Sequence, residues 1–509
     1  MNSGRGIETM RSYEEINKKI KHGDVVVLTA DEYARLAEDK GWEKASKEVD
    51  IVTTGTFGAM CSSGAFLNFG HTEPPMKMYR CWLNDVPAYK GLAAVDAYIG
   101  ATAMSETRPF EYGGGHVIED LVAGREVELR AEAYGTDCYP RRYLETSITI
   151  YDLNQAILVN PRNAYQRYNA ATNSTDRVLY TYMGTLLPYY GNVTFSGSGV
   201  LSPLYKDLYL ETIGIGTRIF LGGGIGYIIG EGTQHNPGAA MSTIMVKGDL
   251  KKMNPRYLRG ASIYRYGTTM YVGLGIAIPL INERVAKTAA LKDEEIYTDI
   301  VDYGVPSRSR PSVRRVSYAE LKTGRVVIND RTVRVSPLSS VKLAMEIAYT
   351  LKKWIENGIF YLSRPIELLP LDTVFKPLEV RRREPRVFEV MRRDIPTIRS
   401  DEDLRNTARI LIERGIDHLP VVDDRGRLIG IVTSWDLARA LAYGKMRLED
   451  IMTRHVITAT PYEPIHSVVA KMERYNISGL PVVDEENRVL GLVTADDISR
   501  RYVVRGGIP

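Results

Sequence analysis

The final part of the chain repeats itself without gaps at an offset of 61 residues. Met391 corresponds to Met452, and the segment 419–423, Leu-Pro-Val-Val-Asp, recurs unchanged at 480–484. Each copy is typical of a helix, an apolar strand, an acidic turn, a second apolar strand and a helix. A unit this short cannot bury its own apolar face, so the repeat predicts that the two copies pack against each other.

Both copies contain the motif Gly-x-x-Thr-x-x-Asp, with Thr433 and Asp436 in the first and Thr494 and Asp497 in the second. Thr-x-x-Asp is a helix capping box, which predicts a helix start at each motif. A hydroxyl and a carboxylate beside the free amides of a first helical turn can also bind the hydroxyl groups of a ligand. The two interpretations are compatible, and both stay open.

The repeat resembles a tandem cystathionine-β-synthase (CBS) pair, with motif 1 at 387–445 and motif 2 at 446–505. In that family the threonine and aspartate often bind the ribose of an adenosyl ligand. The resemblance implies S-adenosylmethionine, methylthioadenosine, AMP or ATP as the ligand, and a homodimer formed through the CBS pair. The ligand-binding residues that it implies are Ile395, Thr397, Ile416, Thr433, Asp436, Val456, Thr458, Ile477, Thr494 and Asp497.

In the remainder of the chain, one thiol lies beside permanent cations: Cys138 is followed closely by Arg141 and Arg142. The alternation of apolar and charged residues over 125–132 predicts a strand, and Pro140 prevents further pairing, so Cys138 is expected on a turn. Guanidinium groups favour the thiolate, which is the nucleophilic form of cysteine. The alternative is an inert, packed thiol.

The chain has three cysteines, too few for a disulfide scaffold and without the paired spacing of a zinc or iron-sulfur site. Cys61 lies in a segment rich in small residues, 55–71, where the backbone can approach a ligand; a packed thiol is the alternative. Cys81 lies in an apolar, strand-like run and is predicted to be core. No metal site is predicted, and neither a signal peptide nor a membrane span, so we expect a cytoplasmic protein.

Arg162 and Arg167 lie in a segment dense in polar donors, 160–173. A guanidinium group can bind a carboxylate through two parallel hydrogen bonds, so both arginines are candidates for substrate binding. A solvated loop is the alternative interpretation. His71, His116 and His235 lie in or beside Gly-rich loops, but their spacing does not indicate a metal site.

The N-terminal part is predicted to be a large mixed α/β (α+β) domain over 1–370, β-rich in its middle. Capping boxes at Ser12 and Thr29 predict helices that end at Gly23 and Gly41. The Gly-rich segment 213–238 alternates with β-branched residues, which favours strands with bulges over a dinucleotide-binding turn.

A charged, Pro-bearing linker is expected over 371–386. The 66 basic and 62 acidic residues nearly balance, which gives no indication of nucleic acid or membrane binding.

The segments 54–71, 113–116 and 137–142 together resemble the archaeal homocysteine-biosynthesis family, the L-aspartate-semialdehyde sulfurtransferases, some of which carry CBS pairs. The resemblance implies that Cys138 carries a persulfide and Cys61 assists, and that the sulfur is delivered to the aldehyde of L-aspartate semialdehyde to make homocysteine. The substrate carboxylate is then expected at one of four arginines, Arg141, Arg142, Arg162 and Arg167.

The resemblance also implies a ferredoxin-type iron-sulfur protein as reductant, because the chain has no cluster-binding cysteines. No tightly bound cofactor is expected in the chain itself. A second hypothesis of a different class is a non-enzymatic sensor of an adenosyl ligand, whose large domain binds a partner.

Overall fold

The computed structural model describes residues 10–379, 384–445 and 447–506. The chain divides into two compact units, an N-terminal unit (Met1–Lys376) and a C-terminal unit (Pro377–Pro509). The first residues of the chain and the arginines at 381–383 of the predicted linker lie outside the described residues.

Helices and strands alternate irregularly in the N-terminal unit, and a strand-rich middle separates helical ends. Its helices are α1 (Tyr13–His22), α2 (Ala30–Lys40), α3 (Trp42–Glu48), α4 (Gly114–Val122), α5 (Pro203–Lys206), α6 (Glu283–Ala289), α7 (Tyr318–Lys322) and α8 (Val341–Glu356). Its strands are β1 (Val27–Thr29), β2 (Ile51–Thr53), β3 (Thr56–Ala59), β4 (Gly64–Asn68), β5 (Arg80–Leu83), β6 (Val86–Ala88), β7 (Asp96–Gly100), β8 (Val127–Glu132), β9 (Tyr143–Ile148), β10 (Gln155–Asn163), β11 (Ala170–Thr172), β12 (Leu179–Thr181), β13 (Gly184–Leu186), β14 (Asn192–Phe195), β15 (Gly214–Ile215), β16 (Arg218–Leu221), β17 (Gly224–Glu231), β18 (Ile244–Asp249), β19 (Leu258–Ile263), β20 (Gly267–Gly275), β21 (Ala277–Pro279), β22 (Tyr297–Asp302), β23 (Ser312–Ser317), β24 (Arg325–Ile328), β25 (Arg331–Pro337) and β26 (Glu367–Leu368). The prediction of a mixed α/β fold with a β-rich middle is confirmed.

The first helices begin and end where their capping residues predict. The hydroxyl of Ser12 accepts a hydrogen bond from the Glu15 amide at 3.2 Å, and the Glu15 carboxylate accepts one from the Ser12 amide at 2.7 Å. Helix α1 ends at Gly23, which adopts a left-handed conformation with φ 81°. At the start of helix α2 the Glu32 carboxylate accepts a hydrogen bond from the Thr29 amide at 2.8 Å, and the helix ends at Gly41. Between them β1 pairs in parallel with β2.

The largest sheet has the strand order β19-β20-β16-β17-β18-β10-β4-β7, and β3 also pairs with β20. The Gly-rich segment 213–238 supplies β16 and β17 to this sheet, and a bulge interrupts the register of β17 with β18 between Ile228 and Gly230. The prediction of bulged strands in this segment is therefore confirmed.

Cys81 and Cys138 belong to a separate antiparallel sheet with the order β6-β5-β8-β9, the first on a strand and the second on a connecting loop. Cys81 on β5 is 2% exposed, and the prediction that it is a core residue is confirmed. Burial raises the pKa of Cys81 to about 12, so its thiol stays protonated. The predicted strand before Cys138 is β8, and Cys138 is exposed on the loop that joins β8 to β9.

Helix α8 packs against β3 and β20 and so supports the strand that leads to Cys61. Its buried face includes Ile347, Leu351 and Ile355, each of which stabilises the fold by about 1.5–3 kcal/mol. The helix lies so close that a Cβ added to Gly55 would be 2.0 Å from a carbonyl oxygen of α8. Glycine is therefore required immediately before β3.

The C-terminal unit contains α9 (Val387–Val390), α10 (Leu404–Arg414), β27 (His418–Val422), β28 (Leu428–Thr433), α11 (Ser434–Tyr443), α12 (Ile465–Tyr475), β29 (Gly479–Val483), β30 (Val489–Thr494) and α13 (Ala495–Gly506). Each copy of the repeat forms one antiparallel hairpin between helices. Equivalent positions of the two copies are in contact, since the backbones of Arg427 and Arg488 form an antiparallel β-bridge. A second β-bridge joins Arg392 of the first copy to Leu492 of the second. The equivalent β-bridge joins Thr453 of the second copy to Ile431 of the first. The prediction that the copies pack against each other is confirmed.

Candidate active site

Cys61 lies in the tight turn that joins β3 to β4, and both sides of the turn are held by backbone hydrogen bonds. The Met60 amide donates to the Met270 carbonyl at 2.8 Å, and the Ala101 amide donates to the Ser63 carbonyl at 2.8 Å. The thiol itself is half-buried. Cys61 is thus presented from a rigid part of the main sheet.

One buried amide side chain connects this turn to β10. Asn160 accepts a hydrogen bond from the Ser62 hydroxyl at 3.0 Å and donates to the Ser63 hydroxyl at 2.8 Å. The same Asn160 oxygen accepts from the Arg162 amide at 3.0 Å. Asn160 therefore fixes the Cys61 turn relative to the first candidate arginine, across almost a hundred residues of sequence.

Cys61 opens into a cleft with a volume of about 510 Å³. Tyrosine and arginine side chains dominate its lining, together with small polar residues. The lining residues are Ala59, Cys61, Ser62, Arg162, Tyr165, Arg167, Tyr168, Asn169, Tyr182, Gln234, Met241, Tyr266, Val301, Tyr303, Arg308, Ser309 and Arg310. The cleft brings together Cys61, Arg162 and Arg167, which the sequence had indicated separately.

Arg162 and Arg167 have unused hydrogen-bonding capacity. Within the described part of the chain, the buried Nε of each lacks a hydrogen-bond partner. Arg167 is paired loosely with Asp299 at 3.4 Å, and Arg162 lies over the Tyr165 ring at 5.8 Å. A buried N–H group without a partner costs free energy, so an anionic ligand in the cleft would relieve that cost.

Burial keeps three tyrosines of the cleft as neutral phenols at ordinary pH. Burial is the main cause that raises the pKa of Tyr165, of Tyr168 and of Tyr303. The hydroxyl groups of Tyr182 and Tyr303 are hydrogen-bonded to each other at 2.6 Å. The cleft thus offers neutral O–H donors beside its guanidinium groups.

The Cys138 loop lies elsewhere on the N-terminal unit. Tyr139 stacks on His71 at 5.7 Å, and the Arg141 guanidinium donates to the carbonyl oxygen of Pro74 at 3.2 Å. Arg142 packs against Gly135 of the same loop. These contacts hold the loop against the segment that leaves the far end of β4, whereas Cys61 precedes its near end. A five-residue strand is about 13 Å long, and Cys138 is absent from the lining of the Cys61 cleft.

Arg141 and Arg142 are therefore absent from the lining of the Cys61 cleft. The predicted set of four arginines divides into two pairs, one beside each thiol. Arg162 and Arg167 line one cleft together with Cys61.

The histidines singled out by the sequence have structural partners. His235 is 2% exposed; its Nδ1 accepts a hydrogen bond from the Thr243 amide at 3.0 Å, and its Nε2 donates to the carbonyl oxygen of Pro370 at 2.9 Å. His116 accepts from the Gly113 amide at 3.2 Å, and burial lowers its pKa. Neither lines the cleft.

In the C-terminal unit, both Thr-x-x-Asp motifs form helix caps. The Thr433 hydroxyl donates to Asp436 at 2.7 Å and accepts from the Asp436 amide at 3.2 Å. Thr494 and Asp497 repeat this arrangement at 2.7 and 3.1 Å. The predicted capping boxes are confirmed at both positions.

The two motifs differ in one contact. The Arg392 guanidinium donates to Oδ1 of Asp497 at 2.7 Å. The residue equivalent to Arg392 in the second copy is Thr453, which has no guanidinium group. The carboxylate of the second motif is thus occupied by a cation. The remaining predicted ligand residues are exposed or half-buried on neighbouring segments: Ile395, Thr397, Ile416, Val456, Thr458 and Ile477.

Sequence reasoning missed several residues that line the Cys61 cleft, and one that supports it from below the surface. Asn160 was seen only as part of a polar segment, and Arg308 and Arg310 come from a separate stretch of the chain. The signal for the tyrosines was compositional, since the chain has 32 tyrosines but 9 phenylalanines. A tyrosine supplies both a ring and a hydroxyl, which suits the wall of a polar cleft.

Among the described residues, no group of three or more histidine, cysteine, aspartate or glutamate side chains is arranged to hold a metal ion. A search of the same residues for helices long and apolar enough to cross a membrane found none.

Comparison with known proteins gives two family matches. Residues 25–362 match the family described as homocysteine biosynthesis enzyme, sulfur-incorporation. Residues 387–443 and 448–504 match the CBS domain.

Two similar proteins span nearly the whole chain. The L-aspartate semialdehyde sulfurtransferase of Methanosarcina acetivorans is 51% identical over 97% of this chain and 99% of its own length. The enzyme of the same name from Methanocaldococcus jannaschii is 52% identical, again over 97% of this chain and 99% of its own. A solved CBS domain pair in complex with 5′-methylthioadenosine and S-adenosyl-L-methionine is 47% identical over 24% of this chain and 99% of that chain, with a TM-score of 0.24.

The resemblance noted from the sequence is therefore confirmed, as is the prediction of a sulfurtransferase enzyme, and the hypothesis of a non-enzymatic sensor is set aside. The chain belongs to the family of homocysteine biosynthesis enzymes that incorporate sulfur, and it carries a CBS pair after the family domain.

Proposed function

We propose that the chain transfers persulfide sulfur from cysteine to the aldehyde carbon of L-aspartate semialdehyde, and that reduction then yields L-homocysteine. The observation that carries this proposal is the cleft that Cys61, Arg162 and Arg167 line together. The full-length similarity to two enzymes named for this activity supports the choice of substrate.

The substrate carboxylate binds to Arg162 and Arg167. Both guanidinium groups have a spare buried N–H within the described part of the chain, and a carboxylate accepts two parallel hydrogen bonds from such a group. Neutral phenols of the cleft, such as Tyr168, donate to the aldehyde oxygen. That hydrogen bond strengthens as negative charge develops on the oxygen during attack.

The transfer proceeds through bonds that form and break in order. The outer persulfide sulfur attacks the carbonyl carbon, the carbonyl electron pair moves to oxygen, and the oxygen takes a proton. Two electrons and two protons then cleave the sulfur–sulfur bond and release the Cys61 thiol. Two further electrons and two protons replace the hydroxyl group by hydrogen, so water and the product thiol are released.

These electrons come from another protein, for which we propose a ferredoxin-type iron-sulfur reductant. The three cysteines of the chain are free and lie in different environments, so they do not supply a cluster. The presence of free thiols is also compatible with the proposed cytoplasmic location.

We assign the acceptance of sulfur to Cys138 and its delivery to Cys61. Cys138 is exposed, so a sulfur donor can reach it, whereas Cys61 lies in the cleft with the arginines. Because the Cys138 loop contacts the segment beyond the far end of β4, the handover requires a displacement of that loop.

Single cysteine variants test this proposal. Cys61→Ser and Cys138→Ser should each abolish homocysteine formation from a persulfide donor, reductant and L-aspartate semialdehyde. Cys81→Ala is the matched control, because Cys81 is buried in another sheet and should leave turnover unchanged in folded protein. Full turnover in either of the first two variants would refute the assigned role of that cysteine.

We further propose that the CBS pair senses an adenosyl ligand, with S-adenosylmethionine the first choice because it derives from the product. The ribose hydroxyls would bind at Thr433 with Asp436 and at Thr494 with Asp497, where helix caps already present a hydroxyl and a carboxylate. Calorimetric titration of the full chain with S-adenosylmethionine, methylthioadenosine, AMP and ATP tests this; binding of none of them would contradict it. The same unit is the proposed homodimer contact, which light scattering of the purified chain can check.

A further inference from the structure

A buried hydroxyl contacts the sulfur of the cleft. The Thr269 hydroxyl donates a hydrogen bond to the Cys61 sulfur, with 3.2 Å between Oγ1 and Sγ, and Thr269 is fully buried. We propose that Thr269 is a catalytic residue that stabilises the thiolate of Cys61, an inference that rests on the sulfur-delivering role proposed for that cysteine.

The donor is held in register with the cysteine by the sheet. Thr269 lies on β20, which pairs with β3 so that Tyr271 is opposite Ala59. The Met60 amide then donates to the carbonyl of Met270, one residue from Thr269. The hydroxyl and the sulfur are thus positioned by the same pair of strands, and little side-chain freedom is lost when the hydrogen bond forms.

The first turn of α4 supports β20 from behind, and this explains the run of glycines at 113–115. A Cβ added to Gly115 would lie 2.3 Å from the carbonyl oxygen of Thr269, and one added to Gly113 would lie 2.4 Å from the Thr268 hydroxyl. A larger residue at either position would displace β20. The glycines at 113–115 therefore affect the Cys61 site indirectly, because they allow α4 to pack closely against the strand that carries Thr269.

The hydrogen bond acts whenever Cys61 carries negative charge. A thiolate has no proton to donate, so the Thr269 proton must point toward the sulfur, and a donor to an ionised acceptor is stronger than one to a neutral acceptor. In the proposed reaction this state occurs when the thiolate takes up sulfur. It occurs again when the reductant supplies two electrons to the sulfur–sulfur bond, since that bond breaks and Sγ leaves with an electron pair. Threonine keeps its proton throughout.

The adjacent residue, Thr268, shows that a buried hydroxyl on β20 does not by itself contact the Cys61 sulfur. Thr268 is 1% exposed, but its hydroxyl donates to the carbonyl oxygens of Ala101 and Ala103, each at 3.4 Å. Thr268→Val therefore removes a buried hydroxyl from the same strand without removing the contact with sulfur. It is a matched control for Thr269→Val.

The titratable neighbours of the sulfur do not change charge near neutral pH. Burial is the main cause that raises the pKa of each nearby phenol, which are Tyr165, Tyr168, Tyr266 and Tyr271. The pH dependence of Cys61 reactivity therefore reports the thiol itself.

The test is the rate of iodoacetamide alkylation at the Cys61 peptide, followed by mass spectrometry from pH 6 to 10 in a Cys138→Ser background. In Thr269→Val the midpoint of the rate curve should move up by about one pH unit, and alkylation at neutral pH should slow about tenfold, as expected for one hydrogen bond to a charged group. Thr269→Ser should restore the rate to within about twofold, and Thr268→Val should match the parent.

An unchanged curve in folded Thr269→Val, or an equal shift in Thr268→Val, would overturn the inference. Thr269→Ala gives the same comparison if the valine variant does not fold. The assay contains neither aldehyde nor reductant, so its outcome is independent of homocysteine formation. Failure of this inference and failure of the proposed function are therefore separate results.

Discussion

Replacement of Arg162 by leucine should raise the KM for L-aspartate semialdehyde about a hundredfold. A carboxylate bound side-on to the guanidinium would take two charge-assisted hydrogen bonds, one of them from the Nε that lacks a partner within the described residues. Each is worth about 1.5 kcal/mol, and a loss of about 3 kcal/mol corresponds to a factor of about a hundred. Arg162→Lys keeps the charge but not the paired donors, so its KM should rise only about tenfold.

The assay is steady-state homocysteine formation at saturating persulfide donor and reductant, with the aldehyde as the varied substrate. Arg141→Ala is the informative comparison, because its guanidinium binds backbone carbonyls near Pro74 and lies outside the cleft. That variant should change kcat through the Cys138 loop while leaving the KM for the aldehyde within about twofold. A larger KM effect in Arg141→Ala than in Arg162→Leu would refute the assignment of the substrate carboxylate to the Cys61 cleft.

Three other predictions concern packing, pH dependence and the CBS pair. Gly115→Ala should destabilise the fold by about 1–3 kcal/mol in urea titration and slow alkylation of Cys61, because its Cβ would lie 2.3 Å from the Thr269 carbonyl; Gly238→Ala, whose Cβ would meet nothing within 4 Å, is the control and should change neither. Burial lowers the pKa of Lys206 to about 7, so between about pH 7 and the usual lysine pKa near 10.4 the folded state binds fewer protons than the unfolded state, and stability rises with pH. The free energy of unfolding relative to Lys206→Met should therefore increase by about 1 kcal/mol per pH unit from pH 7 to 9, and a constant difference would contradict this. The S-adenosylmethionine site at Asp497 should be the weaker of the two, because Arg392 occupies its carboxylate, and Arg392→Ala should strengthen binding there about tenfold in calorimetry. Two sites of equal affinity in the parent chain would contradict this difference.

Local features of the fold were predictable from the sequence because neighbouring residues determine them. Ser12 with Glu15 fixes the start of α1, and Gly23 ends it, through contacts that span only a few residues. The packing of the C-terminal repeat was equally predictable, since the constant offset between the copies places Arg427 opposite Arg488 in the folded C-terminal unit. Cys81 was assigned to the core from the apolar, strand-like run around it.

The cleft could not be predicted in the same way, because its walls come from distant parts of the chain. The bond from Thr269 to Cys61 spans 208 residues, and the pairing of β3 with β20 that creates it leaves no local signal. From the sequence alone, arginines beside either thiol were equally good candidates, and only the geometry separates Arg162 and Arg167 from Arg141 and Arg142. The glycines at 113–115 were visible as a loop, but their packing role depends on a strand 150 residues later.

Delivery of sulfur from Cys61 to the aldehyde can be followed by peptide-resolved mass spectrometry. The full chain would be exposed to a sulfane-sulfur donor, examined for an added sulfur on each cysteine peptide, and then given L-aspartate semialdehyde and reductant. We expect an added sulfur on the Cys61 peptide that disappears as homocysteine forms. Homocysteine formation without any added sulfur on Cys61, or with that sulfur retained, would contradict this expectation.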